Sequence, residues 1–395
     1  MKVGIFTDTY FPQISGVASS IKTLKSELER QGHSVIIFTT TDPKVKYNEV
    51  GIIRLPSLPF LSFQDRRVAI KGLHRALKIA KEQSLDIIHT QTEFSLGLTG
   101  KYIAHQLKIP CIHTYHTMYE DYLHYIGKGK ILRPNHVKIA SKIFCNKANG
   151  IIAPSKKAAQ QLLNYDVTSK IVIIPTGIIL TNFLEKATRD IRAELSFNSD
   201  EPLLLFLGRV AQEKSIDILI KSMPQVLAKK PKAKLLIVGN GPQKKELEYL
   251  VQSLDLAKSI FFVGEVESSQ VQAYYQAADL FLSASDSESQ GLTYIESIAS
   301  GTNIIARYND YTEILTQNGD FGETFRKDEE LADVIIMSMM KNEFNLDNKK
   351  REVNRERLFK QLSSELFGEK VIQFYELMIE EYKDEKKLVI LSKQR

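Results

Sequence analysis

The feature that most constrains this chain is an alternation of short apolar runs with segments of helix length, which runs its course and then starts again. In the first half the runs are KVGIFT (Lys2–Thr7), SVIIFT (Ser34–Thr39), DIIH (Asp86–His89), CIHTY (Cys111–Tyr115), GIIA (Gly150–Ala153) and IVII (Ile171–Ile174). The pattern ends near IPTGIILTNF (Ile174–Phe183) and resumes with PLLLFL (Pro202–Leu207), KLLIV (Lys234–Val238), IFFV (Ile260–Val263), LFLS (Leu280–Ser283) and NIIA (Asn303–Ala306). Strands without a polar face belong to sheets covered on both sides, and helix-length connections make those sheets parallel. At 395 residues the chain exceeds what one core usually holds. The expectation is an α/β protein of two doubly wound domains, residues 1–182 and 183–365, with ligands at the C-terminal ends of the strands. Residues 366–395 form a C-terminal helix and tail. Val371, Phe374, Tyr375, Met378, Ile379 and Tyr382 mark one apolar face there, which must bury against a domain surface. The last residues, KDEKKLVILSKQR, read as frayed or as lying against a partner.

Composition excludes several classes. Hydrophobic residues at 43% and charged residues at 25% are ordinary for a soluble globular protein. Cys111 and Cys145 are the only cysteines, too few for a disulfide framework or a Cys-based zinc site. No signal peptide or membrane span is visible, and a reducing cytoplasm is the expected compartment. The net charge of +6 hides an asymmetry. Residues 1–190 hold 26 Lys and Arg against 14 Asp and Glu, and residues 191–395 hold 27 against 33. A basic half joined to an acidic half implies a polyanion or an anionic surface as partner. No nucleic-acid recognition motif accompanies the charge.

Four strand ends are candidates for chemistry. In SASDSESQGLTYIESIASG a strand, a polar loop and a helix follow one another, with Gly291 at the helix start. A helix N-terminus suits a diphosphate. Glu288 on the loop and Glu296, expected two turns or so into the helix, suit the hydroxyls of a sugar and a ribose. The same spacing also fits a solvated loop with two ordinary surface glutamates. In LGRVAQEKSID, Arg209 and Lys214 follow a strand directly and are placed to neutralise a diphosphate, or are simply solvated. In the first domain TDTYFPQISGVASSIKTL places Gly16 at the start of a helix with the apolar face Val17, Ile21, Leu24 and Leu28. It is a phosphate-type corner or a plain strand-to-helix turn. His113 and His116 flank a strand end in CIHTYHTMYEDYLHY, where a histidine near neutral pKa suits contact with a sugar or acceptor. His124 and Tyr125 read equally well as packed side chains. No third metal ligand accompanies the histidines and no Asp-x-Asp pair exists, so no metal is expected.

The basic region follows the apolar loop LPSLPFLSF, which contains Phe60 and Phe63. DRRVAIKGLHRALKIAKEQ reads as one amphipathic helix with a cationic stripe of Arg66, Arg67, Lys71, Arg75, Lys78 and Lys81. A second basic stretch is GKGKILRPNHVKIASKIF. Basic amphipathic helices beside exposed aromatics suit an anionic membrane surface; a solvated helix packed on the sheet is the plain alternative.

Taken in order, Gly16, His116, IPTGI, LGRVAQEK, VGNGP (Val238–Pro242), FVGEV (Phe262–Val266) and the Glu288/Glu296 pair resemble the retaining glycosyltransferases of family 4, over almost the whole chain. The resemblance implies the GT-B fold of two Rossmann-like domains, the first facing the acceptor and membrane and the second binding a nucleotide sugar. It implies that the C-terminal helix crosses back to the first domain. It implies that Arg209 and Lys214 bind the diphosphate with help from the backbone around Gly291 and Leu292. Glu296 would hold the ribose, Glu288 the transferred sugar, and His116 would sit beside that sugar, with no metal required. DTYFPQISGVASSIKTLKSEL, DIIHTQTEFSLGL and HTYHTMYEDYLHYI are similar to the Gram-positive lipid glucosyltransferases. Those enzymes pass glucose from UDP-glucose to the sn-3 hydroxyl of diacylglycerol, for glycolipid and lipoteichoic acid anchors, at the inner face of the membrane. Two departures stand out. Asn303 replaces a proline after Gly301-Thr302, and RYNDYTEIL (Arg307–Leu315) lacks the usual glycine turn before Glu313, so contacts from that loop are not carried over. Transfer of a second hexose to a glycolipid, a UDP-sugar epimerase of the same fold and a non-catalytic scaffold are the rival readings.

Overall fold

The computed structural model describes residues 1–13, 15–45, 49–60, 63–120, 123, 133–316, 319–341 and 348–393. In chain order the elements are β1 (Lys2–Phe6), α1 (Gly16–Arg30), β2 (Ser34–Thr40), β3 (Ile52–Leu55), β4 (Ser57–Phe60), β5 (Phe63–Ala69), α2 (Leu73–Glu82), β6 (Ile87–Thr90), α3 (Ser95–Leu107), β7 (Cys111–Thr114), α4 (Pro134–Cys145), β8 (Gly150–Ala153), α5 (Lys156–Asn164) and β9 (Lys170–Ile173). They continue as α6 (Thr181–Leu184), α7 (Ile191–Glu194), β10 (Leu203–Leu207), α8 (Ile216–Lys229), β11 (Lys234–Val238), α9 (Lys244–Ser253), β12 (Ile260–Gly264), α10 (Val271–Ala277), β13 (Leu280–Ser283), α11 (Leu292–Ala299), β14 (Asn303–Arg307), α12 (Asp310–Thr316), β15 (Gly322–Phe325), α13 (Leu331–Lys341), α14 (Asn348–Leu362) and α15 (Ser364–Lys393).

These elements form two compact units, Met1–Gly177 with Ser364–Arg395, and Ile178–Ser363. The first is built on a parallel sheet of order β3-β2-β1-β6-β7-β8-β9, the second on a parallel sheet of order β12-β11-β10-β13-β14-β15. The two sheets are the expected α/β architecture. Each reverses its winding direction once, between β1 and β6 and between β10 and β13. At such a switch point the loops leaving neighbouring strands diverge and open a crevice.

The first sheet is apolar on both faces, as its strand composition requires. Val3, Ile5, Ile37, Ile112 and Ile152 pack with Ile21, Leu24 and Leu28 of α1 and with Val371, Phe374, Tyr375 and Met378 of α15. Phe6, Phe38 and Ile88 point the other way, among Ala76, Leu96 and Ile103. The C-terminal helix therefore completes the first unit's core. It approaches β8 so closely that a Cβ on Gly150 would lie 2.4 Å from the Phe374 ring. α15 continues to Lys393.

One expectation fails. Residues 65–69, expected at the start of the basic helix, are not helical: β5 pairs antiparallel with β4, Leu58 opposite Val68 and Pro59 opposite Arg67. Arg66 and Arg67 therefore lie on a hairpin, Lys71 lies in the following turn, and only Arg75, Lys78 and Lys81 belong to α2. The helix begins after Gly72, whose φ of 107° a side chain would strain. The hairpin wins because Arg67 is satisfied there, its Nε donating to Ser57 Oγ at 2.9 Å and its Nη2 to Ser57 O at 2.8 Å. β3 and β15 are edge strands whose mixed composition hid them.

Candidate functional site

In the second unit the corner follows from register. β10 and β13 are neighbours, Leu204 opposite Leu280 and Leu205 opposite Phe281. The loops leaving them must run side by side, and they are stitched together: Ser285 Oγ and Ser287 Oγ each donate to Glu213 O at 3.1 Å. Lys214 and Glu288, seventy-odd residues apart in sequence, form an ion pair whose side chains are only 18% and 19% exposed. Arg209 Nη1 lies 3.5 Å from Glu213 Oε1, a carboxylate with 2% of its side chain exposed. The structure thus brings together Arg209, Lys214 and Glu288, with α11 starting four residues on.

Gly291 caps α11 at φ 70°, and a Cβ there would meet the Tyr294 ring at 2.6 Å. Only glycine fits this turn, and it leaves the first turn of the helix, beginning at Leu292, open to an anion. Glu296 stands just over one turn into α11, not two. Its Oε2 accepts a hydrogen bond from buried Tyr275 Oη at 2.8 Å. Burial raises the Glu296 pKa, and the tyrosine hydroxyl only partly offsets this. The loop that lacks a glycine is closed instead by Asn309, whose Oδ1 accepts from the Tyr311 and Thr312 amides at 3.0 Å. Asn303, in place of the proline, accepts from Arg351 Nη2 at 2.6 Å.

In the first unit, Gly16 opens α1 after β1, and the helix is capped by Ser15 Oγ, which accepts from the Ala18 amide at 3.2 Å. Asp8, on the same loop, is buried. It accepts from Thr92 Oγ1 at 2.7 Å and from the Leu96 amide at 3.2 Å, and so holds the start of α3. Burial raises its pKa. His116 follows β7 and His113 lies within it. His113 is fully buried, with Nε2 3.0 Å from Glu93 Oε1 and Nδ1 3.0 Å from Thr90 O. His116 is only partly buried, and its Nε2 lies 2.6 Å from Gln91 Oε1. Burial, reinforced by His113, pushes the His116 pKa down to about 3, so the ring is neutral at ordinary pH. His124 and Tyr125 lie outside the described residues, as does the Gly127–Leu132 part of the second basic stretch.

Sequence reading missed Gln91, His89, Glu213 and Tyr275. Each is an unremarkable residue in a strand, turn or helix until the fold places it behind a functional side chain. Among the described residues no three His, Cys, Asp or Glu side chains cluster so as to hold a metal ion. None of the described helices is long and apolar enough to cross a membrane. Lys71, Arg75, Lys78 and Lys81 are exposed, and so is Phe60. A second exposed surface lies on α3 and α4. Phe94, Leu98 and Tyr102, one helical turn apart, are 52%, 60% and 45% exposed, and Ile139 and Ile143 are 55% and 53% exposed. The two helices are neighbours, since Lys101 Nζ of α3 lies 3.5 Å above the Phe144 ring of α4.

Residues 14–182 match the family model described as Glycosyltransferase Family 4, and residues 187–357 match Glycosyl transferases group 1. The chain is 46% identical over 385 residues to the alpha-monoglucosyldiacylglycerol synthase of Streptococcus pneumoniae, covering 95% of this chain and 85% of that one. The chain belongs to glycosyltransferase family 4. A second relative, the alpha-monoglucosyldiacylglycerol synthase of Acholeplasma laidlawii, is 35% identical over 85% of this chain and 87% of its own length. The GT-B fold of the family agrees with a solved structure of Anabaena HepE in complex with UDP-glucose. That structure matches with a TM-score of 0.74 over 95% of this chain and 99% of the other, at 16% identity. Membership in family 4 accounts for the paired sheets, and for cations and carboxylates gathered at a strand-end corner of the second.

Proposed function

We propose that this enzyme transfers glucose from UDP-glucose to the sn-3 hydroxyl of 1,2-diacylglycerol with retention, giving alpha-monoglucosyl-diacylglycerol. The observation that carries this reading is the 46% identity over nearly the whole chain to a synthase of that product. In the second unit, Arg209, Lys214 and the N-terminus of α11 at Gly291 and Leu292 meet the diphosphate, without a metal ion. They stabilise charge growing on its β-phosphate as the bond from that oxygen to the sugar C1 breaks. Glu296 holds the ribose and Glu288 a hydroxyl of the glucose, with His116 beside the sugar. The acceptor hydroxyl attacks C1 from the face the leaving group departs, and its proton passes to the departing phosphate oxygen. The products are the glucoside and UDP.

Diacylglycerol resides in a bilayer, so the enzyme works as a peripheral protein on the inner face of the cell membrane. The exposed apolar residues of α3 and α4, with the cations Lys71, Arg75, Lys78 and Lys81, have the composition of an interfacial surface for anionic lipid. The test is incubation with diacylglycerol vesicles and a panel of labelled UDP-sugars in the presence of EDTA. The expected product is glucosyl-diacylglycerol from UDP-glucose alone; another sugar, another acceptor or free hexose refutes the reading.

A further inference from the structure

Behind His116 a chain of buried polar side chains runs along the face of the first sheet that α15 covers. Tyr375 Oη on α15 lies 2.7 Å from His89 Nδ1. His89 Nε2 lies 2.7 Å from Thr114 Oγ1 and 3.1 Å from Gln91 Nε2. Gln91 Oε1 lies 2.6 Å from His116 Nε2. His89 is wholly buried, Gln91 is 2% exposed and Tyr375 is wholly buried, so water does not compete for these bonds. Most buried polar groups are satisfied by backbone; a run of four side chains ending at a partly exposed imidazole is costly to bury and sensitive to each member.

An amide donates only through nitrogen and accepts only through oxygen, which gives the chain a direction. Gln91 nitrogen donates to His89 Nε2, which must be bare and also accepts from the Thr114 hydroxyl. His89 then carries its hydrogen on Nδ1 and donates to Tyr375. Gln91 oxygen can only accept, so His116 carries its hydrogen on Nε2.

We propose that Gln91, braced by His89 and through it by Tyr375, is a positioning residue that fixes His116 as the Nε2–H tautomer and leaves Nδ1 to accept a hydrogen bond from a sugar hydroxyl. This rests on the placement of His116 beside the sugar. The titratable groups around His116 are His89, His113 with its partner Glu93, and Tyr119, which donates to Glu93. Burial holds His89 well below the usual imidazole range, so neither end of the amide faces a cation at working pH. A lone neutral imidazole populates both tautomers, whereas one held by a fixed acceptor populates one.

The experiment uses the full chain labelled with 15N-histidine, with His116 assigned by loss of its signals in His116→Gln. In the wild type the His116 ring is expected as Nε2–H and to hold that state from about pH 5 to pH 8. Gln91→Glu places a carboxylate on Nε2–H, so His116 is expected to titrate within that range, and the acidic limb of the kcat profile to move up with it. Gln91→Met keeps the volume without the bond; it is expected to mix the tautomers and lower kcat about ten-fold with little change in KM, a loss of about 1.4 kcal/mol in the transition state alone. Tyr375→Phe is expected to act in the same sense and less strongly. UDP binding and the melting temperature check that each variant is folded. An Nδ1–H tautomer in the wild type would reverse the chain and overturn the proposal, leaving the transferase reading intact. The expected tautomer together with wild-type transfer profiles in both Gln91 variants would instead remove His116 from the sugar and overturn the reading beneath it.

Discussion

The two strand-end corners solve different electrostatic problems. In the second unit the functional groups are ions already matched to each other, Lys214 with Glu288 and Arg209 with Glu213, at sites mostly withdrawn from water. In the first unit the group facing outward is an imidazole kept neutral by burial and tied to other neutral groups. A diphosphate has to be met by charge, and cations that stand desolvated against carboxylates can exchange partners without a new desolvation penalty. A hydroxyl has to be met by a lone pair in a fixed direction, for which charge is a disadvantage. On the proposed function, the difference teaches that one corner serves partner exchange and the other direction.

The sharpest way to break this comparison is Lys214→Ala. It removes a cation and strands Glu288, and it is expected to lower kcat/KM for UDP-glucose by roughly a hundred- to a thousand-fold. Near-wild-type turnover would show that the pair is only structural. Glu296→Gln comes next. Losing a charged acceptor for the ribose should raise the KM for UDP-glucose about ten- to a hundred-fold, since hydrogen bonds to charged groups contribute about 1.5–3 kcal/mol. Stability should move the opposite way. Because burial raises the Glu296 pKa, ionisation is disfavoured in the fold. The penalty is absent below the ordinary carboxylate pKa and grows as pH rises through the raised value. Glu296→Gln should therefore melt higher than the wild type at pH 8 and about equally at pH 4; a lower melting point at pH 8 would contradict the assignment.

Smaller effects test whether the first unit meets lipid through apolar contact or through charge. Phe94→Ser with Leu98→Ser is expected to weaken vesicle binding about a hundred-fold or more, given about 1.5–3 kcal/mol for burying each such side chain fully. Turnover on a detergent-dispersed acceptor should be spared. Lys71→Ala with Lys78→Ala should cost less, about 1 kcal/mol per cation on anionic vesicles and almost nothing in high salt. Measuring both by vesicle sedimentation ranks the two contributions directly.

Much of this was legible in the chain. The runs KVGIFT, LFLS and KLLIV are apolar on both faces and have only one way to be buried, so the parallel sheets followed from composition. Glu288, Arg209, Lys214 and Gly291 sit next to strands on short loops, where local spacing reports position. Gln91 and Glu213 were not legible, because their meaning comes from register: β6 against β7, and β10 against β13. DRRVA reads as helix because Arg67 falls at helical intervals with Lys71 and Arg75, while the antiparallel partner that makes it a strand lies several residues upstream at Leu58. Phe94, Leu98 and Tyr102 escaped notice because a strand-helix junction hid which side of α3 would remain uncovered.

The position of α15 has a consequence for how the molecule is made. The first unit is discontinuous: residues 1–177 emerge from the ribosome long before Ser364–Arg395. At about 5–20 residues per second, the intervening stretch takes roughly ten to forty seconds to synthesise. Throughout that interval the sheet face carrying Val3, Ile112 and Ile152 lacks Val371, Phe374 and Met378, and Gly150 waits for the ring that will cover it. The second unit, whose segments are contiguous, is free to fold first. The nascent amino-terminal half is thus a client for chaperones until the last helix arrives, and a chain that stops before Ser364 should be found with them, or in aggregates, rather than as a half-enzyme.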